Sequence, residues 1–131
     1  MVPEKLCTGM RFTKSHNFNQ ADFDLFAALS GDDNPIHVDP AFAARTRFGR
    51  TVAHGMLLYG VICGLLSEHF PDAQQLEQNF IFPLPTFADE PITINTEIME
   101  VMTDRQAVRL RTCIKNEAGE LTCDGETVLG W

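Results

Sequence analysis

The stretch from His54 to Phe70 constrains this chain more than any other, because it has the spacing of a helix yet is apolar on nearly every side. Met56, Leu57, Leu58, Val61, Ile62, Leu65 and Leu66 leave no wide polar face, and a helix of that kind has to be buried. Its apolar run, Gly55 to Leu66, is well short of the roughly 20 residues that cross a bilayer, so the burial is expected inside a protein core. Gly60 and Gly64 lie one turn apart and admit close approach of another backbone or of a ligand; tight packing is the simpler use. Pro71 ends the helix.

Near Phe80 the apolar period changes from helical to two. Ile92, Ile94, Thr96 and Ile98 alternate with Thr93, Asn95 and Glu97, which marks a half-buried strand. After a turn at Thr103-Asp104, Val108, Leu110, Thr112 and Ile114 alternate with Arg109, Arg111 and Cys113, and Asn116 to Glu120 reverses the chain again. Leu121, Cys123, Thr127, Leu129 and Trp131 then share one side of a last strand. Strands joined by short turns make an antiparallel sheet, and its apolar face needs a cover that only the His54–Phe70 helix can supply. Weaker strands over Met10 to Asn17 and Leu76 to Pro83 complete the sheet. One long buried helix wrapped by an antiparallel sheet is an α+β arrangement, the hot-dog fold.

A chain of 131 residues with 44% apolar and 21% charged residues fits one folded domain spanning 1-131, without repeats or linkers. Its net charge of −8 argues against nucleic acid as a partner, since binding phosphate backbones requires a broad basic face. The one local excess of cations is Arg45, Arg47 and Arg50, read either as a solvated loop or as an anion contact. Cys7, Cys63, Cys113 and Cys123 show no metal-site spacing, and no signal peptide is visible, so reduced thiols in a soluble cytoplasmic protein are expected.

Two further helix starts frame the chemistry. Asn19 caps a helix with Asp22 in its first turn and Phe18 and Phe23 at the two staple positions, and Gly31 ends it. Phe23, Phe26 and Ala27 share its core face. Asp39-Pro40 starts a short helix through Ala44. Between them, Ser30-Gly31-Asp32-Asp33-Asn34-Pro35-Ile36-His37 places two acids, an amide and an imidazole in a stretch expected to be a loop. Pro35 biases Asn34 toward an extended conformation, which lets Asp32 and His37 face one small volume.

A carboxylate and an imidazole so placed suit addition of water to a polarised double bond, because imidazole both accepts and donates near neutrality while a carboxylate accepts and orients. Two other readings stand beside it. The same residue types build ordinary turns. Asp32, Asp33, His37 and Asp39 are also conceivable metal ligands, although Asp39 is accounted for as a cap and the spacing matches no zinc or calcium motif.

Ala53-His54-Gly55-Met56 opens the buried helix without a favoured capping residue. Free amides at that positive end can polarise a carbonyl oxygen, and Gly55 lets the oxygen come close. Nothing in the spacing aims His54 at a substrate, and a structural role is the simpler one.

Phe26-Ala27-Ala28-Leu29-Ser30-Gly31-Asp32-x-Asn34-Pro35-Ile36-His37 resembles the signature of MaoC-like dehydratases and (R)-specific enoyl-CoA hydratases. Phe48-Gly49-Arg50, Ala53-His54-Gly55-Met56 and Phe82-x-x-Pro85-x-Phe87 are similar to that family too, so the likeness covers nearly the whole chain. The resemblance implies reversible syn hydration of trans-2-enoyl-CoA to (R)-3-hydroxyacyl-CoA without metal or redox cofactor. It implies Asp32 and His37 as the acid/base pair, Asn34 as the residue steadying the segment, the Gly55 N–H as the thioester-oxygen donor, and a homodimer with sites near the subunit interface. Cys63 falls where some relatives carry a small hydroxyl residue near the acyl pocket, and Arg50, with Arg45 and Arg47, is a candidate for the phosphates of coenzyme A. Ala88 before Asp89 departs from a frequent Gly-Asp pair and concerns a turn. A hot-dog thioesterase and a non-catalytic acyl-thioester binding protein are the rival functions; the Asp-x-Asn-Pro-x-His run favours the hydratase over the first, and intact Asp32 and His37 argue against the second.

Overall fold

The computed structural model describes residues 1–131 and contains five strands and four helices. Strand β1 (Arg11–His16) leads to helix α1 (Gln20–Ser30), two short helices α2 (Pro35–Val38) and α3 (Pro40–Ala44), and the long helix α4 (Gly55–His69). Strands β2 (Gln74–Ile81), β3 (Ile92–Met102), β4 (Ala107–Lys115) and β5 (Leu121–Gly130) follow. They form one antiparallel sheet in the order β1-β3-β4-β5-β2. The expected hot-dog architecture is present.

The period-two pattern determines which side of the sheet is dry. Ile92, Ile94, Thr96 and Ile98 of β3 and Leu110, Thr112 and Ile114 of β4 are buried. Leu58, Ile62, Leu65 and Leu66 of α4 join the same hydrophobic cluster. Each fully buried aliphatic side chain of this kind contributes roughly 1.5–3 kcal/mol relative to exposure. On the outer face Arg109 pairs with Glu100 and Glu126, and Arg111 with Asp124, a solvated charge ladder in which each exposed pair is worth about 0–1 kcal/mol.

A flat sheet could not wrap a helix. The register slips between Ile98 and Glu100, between Ile114 and Lys115 and between Gln75 and Glu77, and bulges of this kind add the twist that curls the strands around α4. The slip at the start of β5 also separates Leu121, half-buried, from the fully buried Cys123.

The burial of α4 is less complete than its composition suggests. Met56 is 61% exposed, and Gly60 and Gly64 on the same stripe are open as well. No helix is long and apolar enough to cross a membrane. All four cysteines are free, and burial pushes the Cys123 thiol up to about 12 and raises that of Cys113.

Candidate active site

Helix α1 delivers the first carboxylate. The Asn19 side chain accepts from the Asp22 N–H while the Asp22 carboxylate accepts from the Asn19 N–H, a complete capping box, and the Phe18 and Phe23 rings lie 6.0 Å apart beneath it. At the other end Gly31 takes φ 79°, a left-handed conformation costly for any residue with a Cβ, and turns the chain out of the helix. The Ser30 hydroxyl donates to the Phe26 carbonyl and accepts from the Asp32 N–H at 3.1 Å, which fixes the backbone of Asp32 just past the helix end.

His37 is not in a loop as its neighbours suggest. Pro35 occupies the first position of the one-turn helix α2, where its missing N–H costs nothing, and the Asn34 side-chain Oδ1 caps the turn by accepting from the Ile36 N–H. Asn34 itself keeps the extended ψ of 128° that a following proline favours. The Gln20 amide donates to the His37 carbonyl at 2.9 Å and accepts from the buried Thr51 hydroxyl, so α1, α2 and residues 51–53 are tied together.

That tie settles the imidazole's tautomer. His37 Nδ1 lies 2.8 Å from the Val52 carbonyl oxygen, which can only accept, so Nδ1 carries hydrogen in that bond. Nε2 is left facing Asp32 Oδ2 at 3.9 Å. A water about 2.8 Å from each atom, an ordinary hydrogen-bond length, bridges a gap of that size. The His37 side chain is only 14% exposed and that of Asp32 is 56% exposed, so one partner is held in the wall while the other faces the opening.

Sequence spacing gives His54 no function, yet the structure places it against both members of the pair. Its ring stacks on His37 with centroids 3.8 Å apart, and its Nε2 donates to the Asp32 carbonyl oxygen at 2.8 Å. The Phe26 ring also packs against it, tilted with centroids 4.8 Å apart, and His54 is 2% exposed with Nδ1 lacking a protein partner. The only hint in the sequence is negative: histidine is an unusual choice for the residue preceding a helix.

Asp32, His37 and His54 offer one ligand atom each within 4.8 Å of one another. The set fits a metal ion poorly. His54 Nε2 must carry hydrogen to bond a carbonyl, and stacked rings direct their in-plane lone pairs side by side instead of converging. Of the other two candidate ligands, Asp33 lies outside this set, and Asp39 spends a carboxylate oxygen on the Ala41 and Phe42 N–H groups at the start of α3.

Immediately after His54, α4 begins without any side-chain cap. The Gly55 and Met56 N–H groups have no protein acceptor, whereas the Leu57 and Leu58 N–H groups bond the His54 carbonyl. These amides sit at the positive end of a 15-residue helix. Beside them runs a groove of about 360 Å³ lined by Arg47, Val52, Ala53, Gly55, Leu58 and Phe82, among others. A Cβ on Gly55 would come within 2.8 Å of the Phe82 ring, so glycine keeps this passage open.

Two candidate residues stand apart from this cluster. Arg50 pairs with Glu90 and lies 3.9 Å over the Phe87 ring, so its charge is already engaged. Cys63 lies farther along α4, outside the groove's lining, where its Sγ accepts from the Gln75 amide at 3.2 Å. Tyr59 donates to the same Gln75, and its phenol is raised by burial and by the nearby Cys63. At the departure from Gly-Asp, the left-handed residue is Asp89, with φ 61°, so Ala88 costs the turn nothing.

Comparison with known proteins gives a consistent relationship. Residues 4–118 match the model of the MaoC like domain family. The chain is 38% identical over 131 residues to an (R)-specific enoyl-CoA hydratase from Aeromonas caviae, covering 98% of both. It is 31% identical to a 3-hydroxybutyryl-CoA dehydratase from Methylorubrum extorquens, covering 96% of this chain and 81% of that one. A solved structure of the (R)-hydratase from A. caviae involved in PHA biosynthesis superposes with a TM-score of 0.93 at 38% identity over 98% of each chain. The protein is therefore a member of the MaoC-like domain family.

Proposed function

We propose that this protein is a hydro-lyase that adds water reversibly to trans-2-enoyl-CoA, giving (R)-3-hydroxyacyl-CoA. The observation that carries the reading is the 3.9 Å gap between His37 Nε2 and Asp32 Oδ2, beside a helix whose leading amides are unused. In this reading both atoms accept from one water, whose oxygen lone pair is then free to attack C3 of the double bond. The Gly55 N–H receives the thioester oxygen and stabilises the enolate that forms as the C3–O bond closes. His37 Nε2 takes the water's proton, and the Asp32–His37 pair returns one proton to C2. The product gains one hydrogen and one hydroxyl, and no net charge is left on the enzyme. Because the pair sits on one side of the bound thioester, both additions occur on the same face.

Asn34 serves this chemistry as the cap that shapes the turn bearing His37. A homodimer accords with the open features of the chain. Strand β2 is an edge of the sheet with Leu76 and Ile81 exposed, and α4 shows the uncovered Met56-Gly60-Gly64 stripe. A second copy covering these surfaces would remove an unprotected edge, and sedimentation should then give twice the chain mass. Four free thiols agree with a reducing, cytoplasmic setting.

Crotonyl-CoA provides the direct test. Loss of the conjugated absorbance without release of free thiol, with an (R)-configured product, is the expected result. Asp32→Asn and His37→Gln should each lower kcat by about 10²–10⁴-fold, the usual worth of general acid–base groups. Thiol release without hydration would reassign the protein as a thioesterase.

A further inference from the structure

We infer that Arg47 is the anchor for the phosphates of the substrate's carrier arm, an assignment that rests on the hydration of pantetheine thioesters proposed above. The protein has seven arginines. Five are paired with carboxylates: Arg11 with Glu97, Arg50 with Glu90, Arg105 with Glu77, Arg109 with Glu100 and Glu126, and Arg111 with Asp124. Arg45 and Arg47 have no such partner, and only Arg47 lines the groove that also contains Gly55. In a chain with net charge −8, an uncompensated guanidinium beside the carbonyl-binding amide is a local exception to the field of the whole molecule.

The surroundings of Arg47 fit a phosphate better than they fit a carboxylate from the protein itself. Its guanidinium carbon stands 4.7 Å over the Phe48 ring, a stack that restricts the side chain while leaving its N–H edges free. No acidic residue lines the groove. Its remaining walls are largely apolar, with Val52, Leu58, Pro83 and Pro85 among them, which suits the uncharged pantetheine arm. The phosphates at the end of that arm are the substrate's strongest anions, and a guanidinium binds them through paired N–H donors. Arg50, the arginine carried by the family-like Phe-Gly-Arg run, is already neutralised by Glu90, so the role passes to its unpaired neighbour.

The test compares three crotonyl thioesters with successively more of the carrier: pantetheine, which has no phosphate, 4′-phosphopantetheine, which has one, and coenzyme A, which adds the phosphorylated nucleotide. Arg47→Ala should raise KM for crotonyl-CoA by about tenfold, the size of one lost charge-assisted contact at a part-exposed site, with kcat within about twofold. The pantetheine thioester should show no change. A matching rise with 4′-phosphopantetheine assigns the contact to the phosphate nearest the arm; a rise confined to coenzyme A assigns it to the nucleotide end. Lys5→Ala, which removes an equal charge away from the groove, controls for the general field. An equal KM rise with all three thioesters, or none with any, overturns the assignment. If the wild-type protein hydrates none of them, the functional reading fails separately. Calorimetry with free coenzyme A then still decides the role of Arg47, which predicts an affinity about tenfold lower in the variant.

Discussion

Helices α1 and α4 begin in opposite ways. At the start of α1, Asn19 and Asp22 satisfy each other's backbone N–H groups, and the Phe18–Phe23 contact closes the end against solvent. At the start of α4 no side chain bonds the first amides, and the residue in the capping position turns its ring toward Asp32 and His37 instead. A capped helix end is worth roughly 1 kcal/mol over an uncapped one. That stabilisation is forgone where a carboxylate and an imidazole meet, which agrees with the proposal that the open end receives a ligand's oxygen. On that proposal the contrast separates a terminus that serves the fold from one that serves the chemistry, and it can be attacked from both sides.

The largest effect should come from deleting the Gly55 N–H itself. Proline is tolerated at the first position of a helix, and His54 already has φ −62° and ψ 137°, which a following proline requires. Gly55→Pro therefore removes the donor with the helix intact. The added ring also meets Phe82, so Gly55→Ala, which brings the same Cβ and keeps the N–H, is the necessary comparison. Relative to the alanine variant, the proline variant should lose about 10²–10³-fold in kcat, as expected for one oxyanion donor. Equal kcat in the two variants would show that the open terminus does not hold the reacting carbonyl.

A smaller effect is expected at His54, which joins the helix end to Asp32 and His37. His54→Gln keeps an N–H donor in reach of the Asp32 carbonyl but loses the stack on His37; His54→Phe keeps an aromatic stack and loses the donor. If positioning of Asp32 is the main role, the glutamine variant should retain about tenfold more kcat than the phenylalanine variant, a difference of about 1.4 kcal/mol. KM should change little in either. Parallel losses in the two variants, matched by equal losses of Tm, would reduce His54 to a packing residue.

The difference between the two termini also marks how far the residues themselves reveal the structure. The capping box of α1, the apolar run of α4 and the alternation in β3 and β4 are local patterns, each complete within one or two turns or a few strand residues. They were legible because local spacing specifies them. The bulges after Ile98 and Ile114 were not, because they answer to the curvature needed to wrap α4 and leave no residue signature. Helix α2 was hidden for another reason: Asn34-Pro35 reads equally as a turn or as the start of one helical turn. At the site, Asp32, His37 and Gly55 could be proposed from residue type and neighbourhood. The part played by His54 depends on a hydrogen bond spanning 22 residues, which no spacing rule contains. Arg50 is engaged by Glu90, 40 residues beyond it, while Arg47 has no carboxylate partner, so the distinction between a free and an engaged arginine is purely tertiary.

The smallest effect belongs to the capped end, and it concerns stability alone. Asn19→Ala removes the side-chain acceptor for the Asp22 N–H and leaves only half of the capping box. The loss should be about 1 kcal/mol, within the usual 0.5–2 kcal/mol for such a cap, read as a lower urea midpoint at unchanged slope. Helix α1 carries Gln20, whose amide holds the His37 carbonyl, so fraying its first turn would loosen that tie if the cap were its only support. The staple beneath it and the buried Phe23 keep the turn in place independently. For that reason kcat and KM for crotonyl-CoA should stay within about twofold of wild type, below the threshold of one lost hydrogen bond. A fall in kcat as large as that of the His54 variants would mean that the two helix ends are mechanically coupled, and the division between a structural and a chemical terminus would have to be abandoned.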